Sequence, residues 1–326
     1  MTVLVTGVAG FIGFHVAAAL LARGERVVGV DNLNDYYDVT LKEARLAELE
    51  DRPGFDFHYL DLADRRTTDA VLARHPDVDR VVHLAAQAGV RHSLVDPHIY
   101  VRSNVEGQLV VLEACRRLKR LRHLVYASSS SVYGGSTRLP FALDDPVDRP
   151  LSLYGATKRA AELMAMSYSH LFALPATGLR FFTVYGPWGR PDMAAYIFTR
   201  AILAGLPIRL FNDGAMKRDF TYIDDIVAGV LAALDRPPAA GGGDRPHRLY
   251  NLGNSRAEPL TRFVAVLERA CGRTATVEPA PMQPGDVTET FADITAATRD
   301  LGFRPATTID EGVPRFVAWY RAYHRV

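Results

Sequence analysis

Cysteine and lysine are both scarce in this sequence. The two cysteines, Cys115 and Cys271, lie far apart in apolar stretches of helical spacing. That excludes a disulfide framework and a cysteine-rich metal cluster, and both read as reduced core residues. Only four lysines, Lys42, Lys119, Lys158 and Lys217, stand among 38 basic residues. A formal net charge of +1 over 326 residues removes any bulk attraction to nucleic acid or to an anionic membrane. No apolar run approaches the roughly 18 residues needed to span a bilayer. The first residues pattern as a strand rather than as a basic segment with an apolar signal core, so a cytoplasmic location is expected. The ten histidines show no HExxH-type zinc spacing, and no metal is expected. What is present is a 48% hydrophobic chain, enough for one large domain or two smaller ones.

Up to about residue 180, strand and helix patterns alternate. The expected strands are Thr2–Thr6, Arg26–Asp31, Asp56–Leu60, Arg80–Leu84, Leu121–Ala127 and Ala176–Phe182, with helices notably over Ile99–Lys119 and Tyr154–Leu171. Such alternation predicts an α/β fold: a Rossmann-type doubly wound parallel sheet, with ligands at the carboxyl ends of its strands. After residue 180 the pattern changes. Helices are expected over Ala194–Ala204, Asp224–Leu234, Thr261–Cys271 and Ile309–Tyr323, and a short strand over Ile208–Phe211. Leu249–Leu252 is expected to return to the main sheet, and Pro237 to Pro246 reads as an exposed loop. The predicted division is a cofactor-binding domain over 1–180, with returns near 222–252, and a smaller C-terminal α/β substrate-binding domain over 181–326.

Three features carry chemistry. Gly7, Gly10 and Gly13 follow the strand Val3-Leu4-Val5 and open an apolar helix from Phe11. Glycines there allow a tight turn and close approach of a diphosphate to a helix N-terminus. The spacing is GxxGxxG rather than GxGxxG. Asp31 ends the next strand, eighteen residues after Gly13, where a carboxylate accepts ribose hydroxyls and repels a 2′-phosphate. Asn32 and Asn34 follow, with no arginine immediately after Asp31, which favours NAD over NADP. Finally, Tyr154 and Lys158 share a helix face at i,i+4 spacing, 25 residues beyond Ser129 in a run of four serines. A phenol titrates near 10, too high for a base at neutral pH, unless a neighbouring ammonium and a nicotinamide charge favour its ionised form. Tyr154 is then the base, Ser129 the bridging hydroxyl and Lys158 the activating cation for hydride chemistry at an alcohol carbon.

With these residues in register, the chain resembles the extended short-chain dehydrogenase/reductase family, and within it the nucleotide-sugar epimerases. His83-Leu84-Ala85-Ala86-Gln87, Ser128 to Gly134 and Arg218 to Asp225 carry the likeness beyond the glycine turn and the Tyr154/Lys158 pair. Three further stretches resemble its UDP-glucuronate 4-epimerase group: Asp31 to Tyr37, Arg180 to Met193 and Met282 to Val287. The resemblance implies oxidation at sugar carbon 4, turnover of the 4-keto intermediate and return of hydride to its other face. It implies NAD contacts at Gly7, Phe11, Ile12, Asp31, Asn32, Asp61, Leu62, Leu84, Ala85, Gln87 and Asn104, and at Lys42. It places a UDP-sugar near Phe211, Arg218, Gln283 and Asp286, with Thr183 and Arg190 on the sugar carboxylate. It also implies a homodimer through the helices Ile99–Lys119 and Tyr154–Leu171. His92 stands where the group often has tyrosine, which leaves the part played by Arg91 open. His83 reads as a packing residue, and Trp188 either shapes a pocket or packs in its loop.

Four competing activities remain. A 4,6-dehydratase or a UDP-glucuronate decarboxylase is disfavoured because Ser128 to Ser131 offer hydroxyls and no acid. A UDP-glucose/UDP-galactose epimerase is the nearest competitor, and Thr183 with Arg190 argues against it. A non-catalytic NAD-binding protein is disfavoured by the retention of both Tyr154 and Lys158.

Overall fold

Alternating strand residues bury on opposite faces of one sheet. In β1 (Thr2–Thr6), Val3 and Val5 join one core while Leu4 joins the other. The same split separates Val81 from Val82 in β4 (Val78–His83) and Leu124 from Val125 in β5 (His123–Ser129). Apolar residues on both faces require helices on both faces, which only a parallel, doubly covered sheet supplies. The structure is a computed structural model that describes residues 1–239, 246–283 and 285–326. The loop expected over Pro237 to Pro246 lies largely outside the described residues.

With β2 (Arg26–Asp31), β3 (Phe55–Tyr59), β6 (Ala176–Phe181) and β11 (His247–Leu252), the sheet has seven parallel strands in the order β11-β6-β5-β4-β1-β2-β3. The expected return of Leu249–Leu252 is thus the edge strand beside β6. From β1 the chain winds to β2 and β3, then crosses back to β4 on the other side of β1. The ligand crevice of a doubly wound sheet lies at that switch, beyond the ends of β1 and β4.

One face is covered by α3 (Arg65–Arg74), α5 (Gly107–Arg117) and α6 (Leu153–Phe172). The other is covered by α1 (Phe11–Ala22), α2 (Val39–Glu50) and α8 (Ile223–Leu234), with α7 (Ala194–Ala204), α9 (Leu260–Cys271) and α11 (Ile309–His324) extending the same core beyond. The helix expected over Ile99–Lys119 begins as α4 (Pro97–Val101) and runs into α5 through a wide π segment, Arg102–Glu106. Asn104 sits in that segment and bonds the chain beyond β4, a placement the periodicity did not signal. Past β6, apart from β11, the described strands form two-stranded pieces. β7 (Thr183–Tyr185) pairs with β10 (Phe220–Tyr222), and β8 (Ile208–Phe211) pairs with β13 (Val277–Ala280). β9 (Lys217–Arg218) pairs with β12 (Glu258–Pro259), and α10 (Thr295–Leu301) completes the elements. Cys115 and Cys271 are free and buried, as expected.

A buried polar network fixes α6 to the sheet. Arg180 on β6 grips Glu162 on α6 with two bonds, Nε to Oε1 at 2.8 Å and Nη2 to Oε2 at 2.9 Å. Ser128 donates to the same carboxylate at 2.6 Å and Arg159 at 2.9 Å, while Arg180 Nη1 reaches the Tyr133 hydroxyl at 2.9 Å. Burial alone would raise the Glu162 carboxyl, but the Arg180 guanidinium more than reverses this and holds it below its ordinary value. Replacing Glu162 with alanine strands the Arg180 charge in the core. Urea unfolding of Glu162→Ala is expected to show a loss of about 3–5 kcal/mol, with the paired change Arg180→Met/Glu162→Leu costing clearly less. Equal losses in the single and paired variants would show that shape, not charge, dominates at this site.

Candidate active site

The glycine turn is set by backbone crowding. Gly7 has φ +72°, and a Cβ there would lie 2.7 Å from the Ala85 nitrogen, so only glycine lets the ends of β1 and β4 meet. A Cβ on Gly13 would lie 2.0 Å from the Gly7 carbonyl oxygen. The turn delivers α1 with no side chain capping its N-terminus, whereas Asp38, Asp64 and Ser152 cap α2, α3 and α6. An uncapped helix start facing a cavity presents free N–H groups to an anion. Asp31 completes the turn by accepting from Ala9 N–H at 3.1 Å and Leu33 N–H at 2.8 Å. The tight glycine turn, the uncapped helix start and the carboxylate together fit the diphosphate and ribose of a dinucleotide.

A cavity of about 1330 Å³ opens beyond these strand ends. It exceeds the roughly 300–1,000 Å³ of an ordinary ligand pocket, leaving room for two nucleotide-sized molecules. Every expected cofactor residue except Asn104 lines it: Gly7, Gly10, Phe11, Ile12, Gly13, Asp31, Asn32, Asn34, Lys42, Asp61, Leu62, Leu84, Ala85, Gln87, Tyr154 and Lys158. Asn104 lies underneath, accepting from Gln87 N–H at 2.8 Å and donating to Gln87 O at 2.9 Å, so it shapes the wall. The Lys42 ammonium is already engaged, with Asn34 O at 2.5 Å and Asn34 Oδ1 at 2.7 Å. Its pKa is lowered to about 8 by burial, against the opposing pull of Asp31.

Ser129, Tyr154 and Lys158 meet at the centre, from the end of β5 and the start of α6. Burial raises the Tyr154 phenol, while a hydrogen bond with Ser129 and the charge of Arg190 oppose the rise. The expectation was that Lys158 would lower it. Lys158 is itself buried, its pKa is lowered to about 8, and its main charge partner is Glu162. Burial thus works against the ionised phenol, and Ser129 and Arg190 are the protein groups that favour it.

His83 is a packed residue, as expected. Thr6 Oγ1 accepts from the N–H groups of Leu84 and Ala85, both at 3.1 Å, so its one hydrogen goes to His83 Nδ1 at 2.7 Å. Trp188 also packs, against Phe14, Trp319 and Tyr323. Arg45, which sequence reasoning missed, is fully buried and donates to Ala9 O at 2.8 Å and Trp188 O at 2.7 Å. It thereby ties the glycine turn to the loop that carries Arg190.

At the far end, Thr183, Arg190, Phe211, Arg218 and Asp286 all line the cavity. Gln283 is not among the lining residues; its carbonyl accepts the Asp286 N–H at 3.2 Å. The Arg190 guanidinium forks onto Asp192, Nε to Oδ1 at 3.0 Å and Nη2 to Oδ2 at 2.5 Å, and the Tyr36 hydroxyl donates to Asp192 at 3.0 Å. Asp192 and Tyr36 were not anticipated, although both belong to stretches that carried the resemblance. Arg91 lies 4.4 Å over the Phe211 ring and donates to Asp286 at 3.1 Å. Burial lowers Arg218, Asp286 opposes that, and Arg91 adds to it, so two cations share this end with one carboxylate. The His92 ring packs 4.6 Å from Tyr36.

Known proteins share this arrangement over nearly the whole chain. UDP-glucuronate 4-epimerase 4 of Arabidopsis thaliana is 48% identical, matching 99% of this chain and 76% of its own. A probable UDP-glucuronate 4-epimerase of Rhizobium meliloti is 45% identical over 100% of this chain and 98% of its own. The crystal structure of UDP-glucuronic acid 4-epimerase from Bacillus cereus, in complex with UDP-glucuronic acid and NAD, superposes with a TM-score of 0.91 at 35% identity. It covers 99% of this chain and 100% of its own. A family profile matches residues 3–253, the stretch that holds the glycine turn, the serine run and the Tyr154/Lys158 pair. By that match, the chain belongs to the NAD-dependent epimerase/dehydratase family.

Proposed function

We propose that the protein interconverts UDP-glucuronate and UDP-galacturonate by epimerisation at carbon 4. One observation carries the reading: a half-buried Tyr154 paired with the buried Ser129 and a cavity-lining arginine fork face the same space as a dinucleotide-binding turn. NAD, when bound, supplies the hydride acceptor and donor. It is assigned to Gly7, Gly10, Phe11, Ile12, Gly13, Asp31, Asn32, Asn34, Lys42, Asp61, Leu62, Leu84, Ala85 and Gln87, with Lys158 on its nicotinamide side. Tyr154 takes the proton of the sugar 4-hydroxyl through the Ser129 hydroxyl and returns it after the 4-keto sugar has turned over. Phe211, Arg218 and Asp286 hold UDP, and Arg91 adds a second cation for the diphosphate. Residues 1–180 thus serve the cofactor, with returns near 222–252, and 181–326 mainly the sugar nucleotide.

The molecule is proposed to act as a cytoplasmic homodimer. Leu109 on α5 and Leu163, Leu171 and Phe172 on α6 leave apolar surface exposed on neighbouring helices. The free cysteines suit a reducing compartment. No helix among the described residues is long and apolar enough to cross a membrane.

Incubation with UDP-glucuronate and separation of the two uronates tests the activity directly. Hydride that leaves and returns within one turnover is never released, so denatured protein is expected to yield NAD without NADH accumulating during catalysis. Recovery of mainly NADP would contradict the role given to Asp31.

Tyr154→Phe is expected to lose roughly 10²–10⁴ in rate while keeping NAD. Ser129 favours the ionised phenol, so Ser129→Ala should move the rising limb of the pH–rate profile to higher pH. An unmoved limb would separate Ser129 from Tyr154.

A neutral UDP-hexose substrate is favoured by one observation, the occupation of the Arg190 fork by Asp192. The guanidinium still has N–H groups to spare on its other edge, among five donors in all. There a uronate carboxylate makes bidentate contact, with Thr183 adding a hydroxyl. The clamp also protects the intermediate. Oxidation at carbon 4 makes a β-keto acid, which loses carbon dioxide when its carboxylate bond aligns with the ketone π system. Arg190→Ala is expected to lose about 2–5 kcal/mol of uronate turnover, with residual flux leaking to UDP-pentose. Normal kinetics with UDP-glucuronate in that variant would return the assignment to neutral sugars.

A further inference from the structure

Away from the cavity, three side chains on the edge of the sheet aim ligand atoms at one point. β3 is the last strand of the sheet and has β2 as its only neighbour. Asp56 and His58 are two apart on β3, so strand geometry sends both side chains to the same face. His75 ends α3 as its C-cap, with its N–H bonded to Leu72 O, and brings a third group to that face. None of the three lines the cavity.

The geometry is that of a coordination site. The Nε2 atoms of His58 and His75 lie 2.9 Å apart, and Asp56 Oδ2 lies 3.5 Å from the first and 3.4 Å from the second. A circle through three atoms so spaced has a radius of about 1.9 Å, so a point just off their plane lies within the ~2.0–2.1 Å of zinc–imidazole and zinc–carboxylate bonds. Hydrogen bonding satisfies the cluster less well. Only one hydrogen fits between the two facing Nε2 atoms, and the carboxylate is too far from either ring for a normal hydrogen bond. A cation between them uses all three.

We propose that Asp56, His58 and His75 bind one divalent transition-metal ion, zinc in the first instance. Two imidazoles and one carboxylate suit zinc, whereas magnesium and calcium favour oxygen ligands throughout. The Asp56 side chain is half-exposed, so water completes the tetrahedron. Both rings then carry their proton on Nδ1. The ion cross-links the free edge of the sheet to the end of α3 and stabilises the native chain by mass action. No sequence motif announces the site, because His58 and His75 are 17 residues apart, on a strand and at a helix end.

The test uses tag-free protein, stripped with a chelator and dialysed against about 10 µM free Zn²⁺, a level at which a three-ligand site should fill. Metal analysis is expected to find one zinc per chain, and zinc should raise the thermal midpoint while Mg²⁺ leaves it unchanged. Asp56→Asn and His58→Gln sit at partly exposed positions and should fold. Each is expected to weaken zinc retention about tenfold or more and to abolish the thermal shift. His98→Gln, at an exposed histidine outside the cluster, should retain zinc as the unmodified chain does. A chain that takes up no zinc, or a His58→Gln variant that holds it with unchanged affinity, overturns the proposal and leaves a hydrogen-bonded histidine pair.

Discussion

The geometry of the reacting centre depends on one buried ion pair. Arg180 and Glu162 are both about 1% exposed, and their two parallel bonds join β6 to α6. Helix α6 brings Tyr154 and Lys158, and Ser128, one residue before Ser129, donates to the same carboxylate. The pair therefore sets the distance between the phenol and the serine hydroxyl through a common anchor. Such a pair contributes little net stability when complete, because desolvation offsets attraction. Its value is positional: Arg180, Ser128 and Arg159 all bond the one carboxylate and Arg180 also bonds Tyr133, so strand, serine turn and helix are held in one arrangement. The network continues through Tyr133 to Asn251 at 2.7 Å, and from Asn251 to Phe141 O at 2.8 Å and Asp293 O at 3.1 Å. In this way, segments far beyond residue 180 are tied to the catalytic helix.

A second anchor does the same for the cofactor end. The glycine turn packs Val8 and Ala9 into the core but has no polar side chain of its own. Arg45 supplies the hold from α2, donating to the Ala9 carbonyl, the Tyr37 hydroxyl at 2.8 Å and the carbonyl of Trp188. Movement of the turn is thus coupled to movement of the loop bearing Arg190. That coupling suits a reaction in which the sugar must turn over while the cofactor stays fixed.

Much of this was legible in the sequence because it is local. Strand and helix periods fix β1, β2 and α7 to the residue, and the glycine spacing and Tyr154/Lys158 pair are short-range patterns. What escaped is non-local. The break at Arg102–Glu106 depends on Asn104 meeting Gln87 and Thr157, the latter at 3.0 Å, and nothing in the helical period marks it. Arg45 reads as an ordinary surface arginine of an amphipathic helix until the loop from residue 186 closes over it. The electrostatics of Tyr154 also needed the structure. The i,i+4 spacing put Lys158 on the right face, but only the structure shows that burial lowers it and that Glu162 opposes this.

The Arg190–Asp192 pair shows how a cation lining the cavity is balanced within the protein. An arginine aimed into a dry cavity with no partner carries a desolvation cost of several kcal/mol. Asp192 offsets it, and the carboxylate is itself kept ionised: burial would raise it, but Arg190 and the Tyr36 hydroxyl hold it low. The fork is therefore neutral through its own ion pair. A neutral sugar finds no unmet charge there and gains little from it. A uronate brings a second carboxylate to a guanidinium with an edge still free, and its contact adds to one already in place rather than having to create it. On the proposed role of Arg190, selectivity rests on the free edge of a prepaired cation, a feature that neither residue's identity reveals until the two are seen side by side.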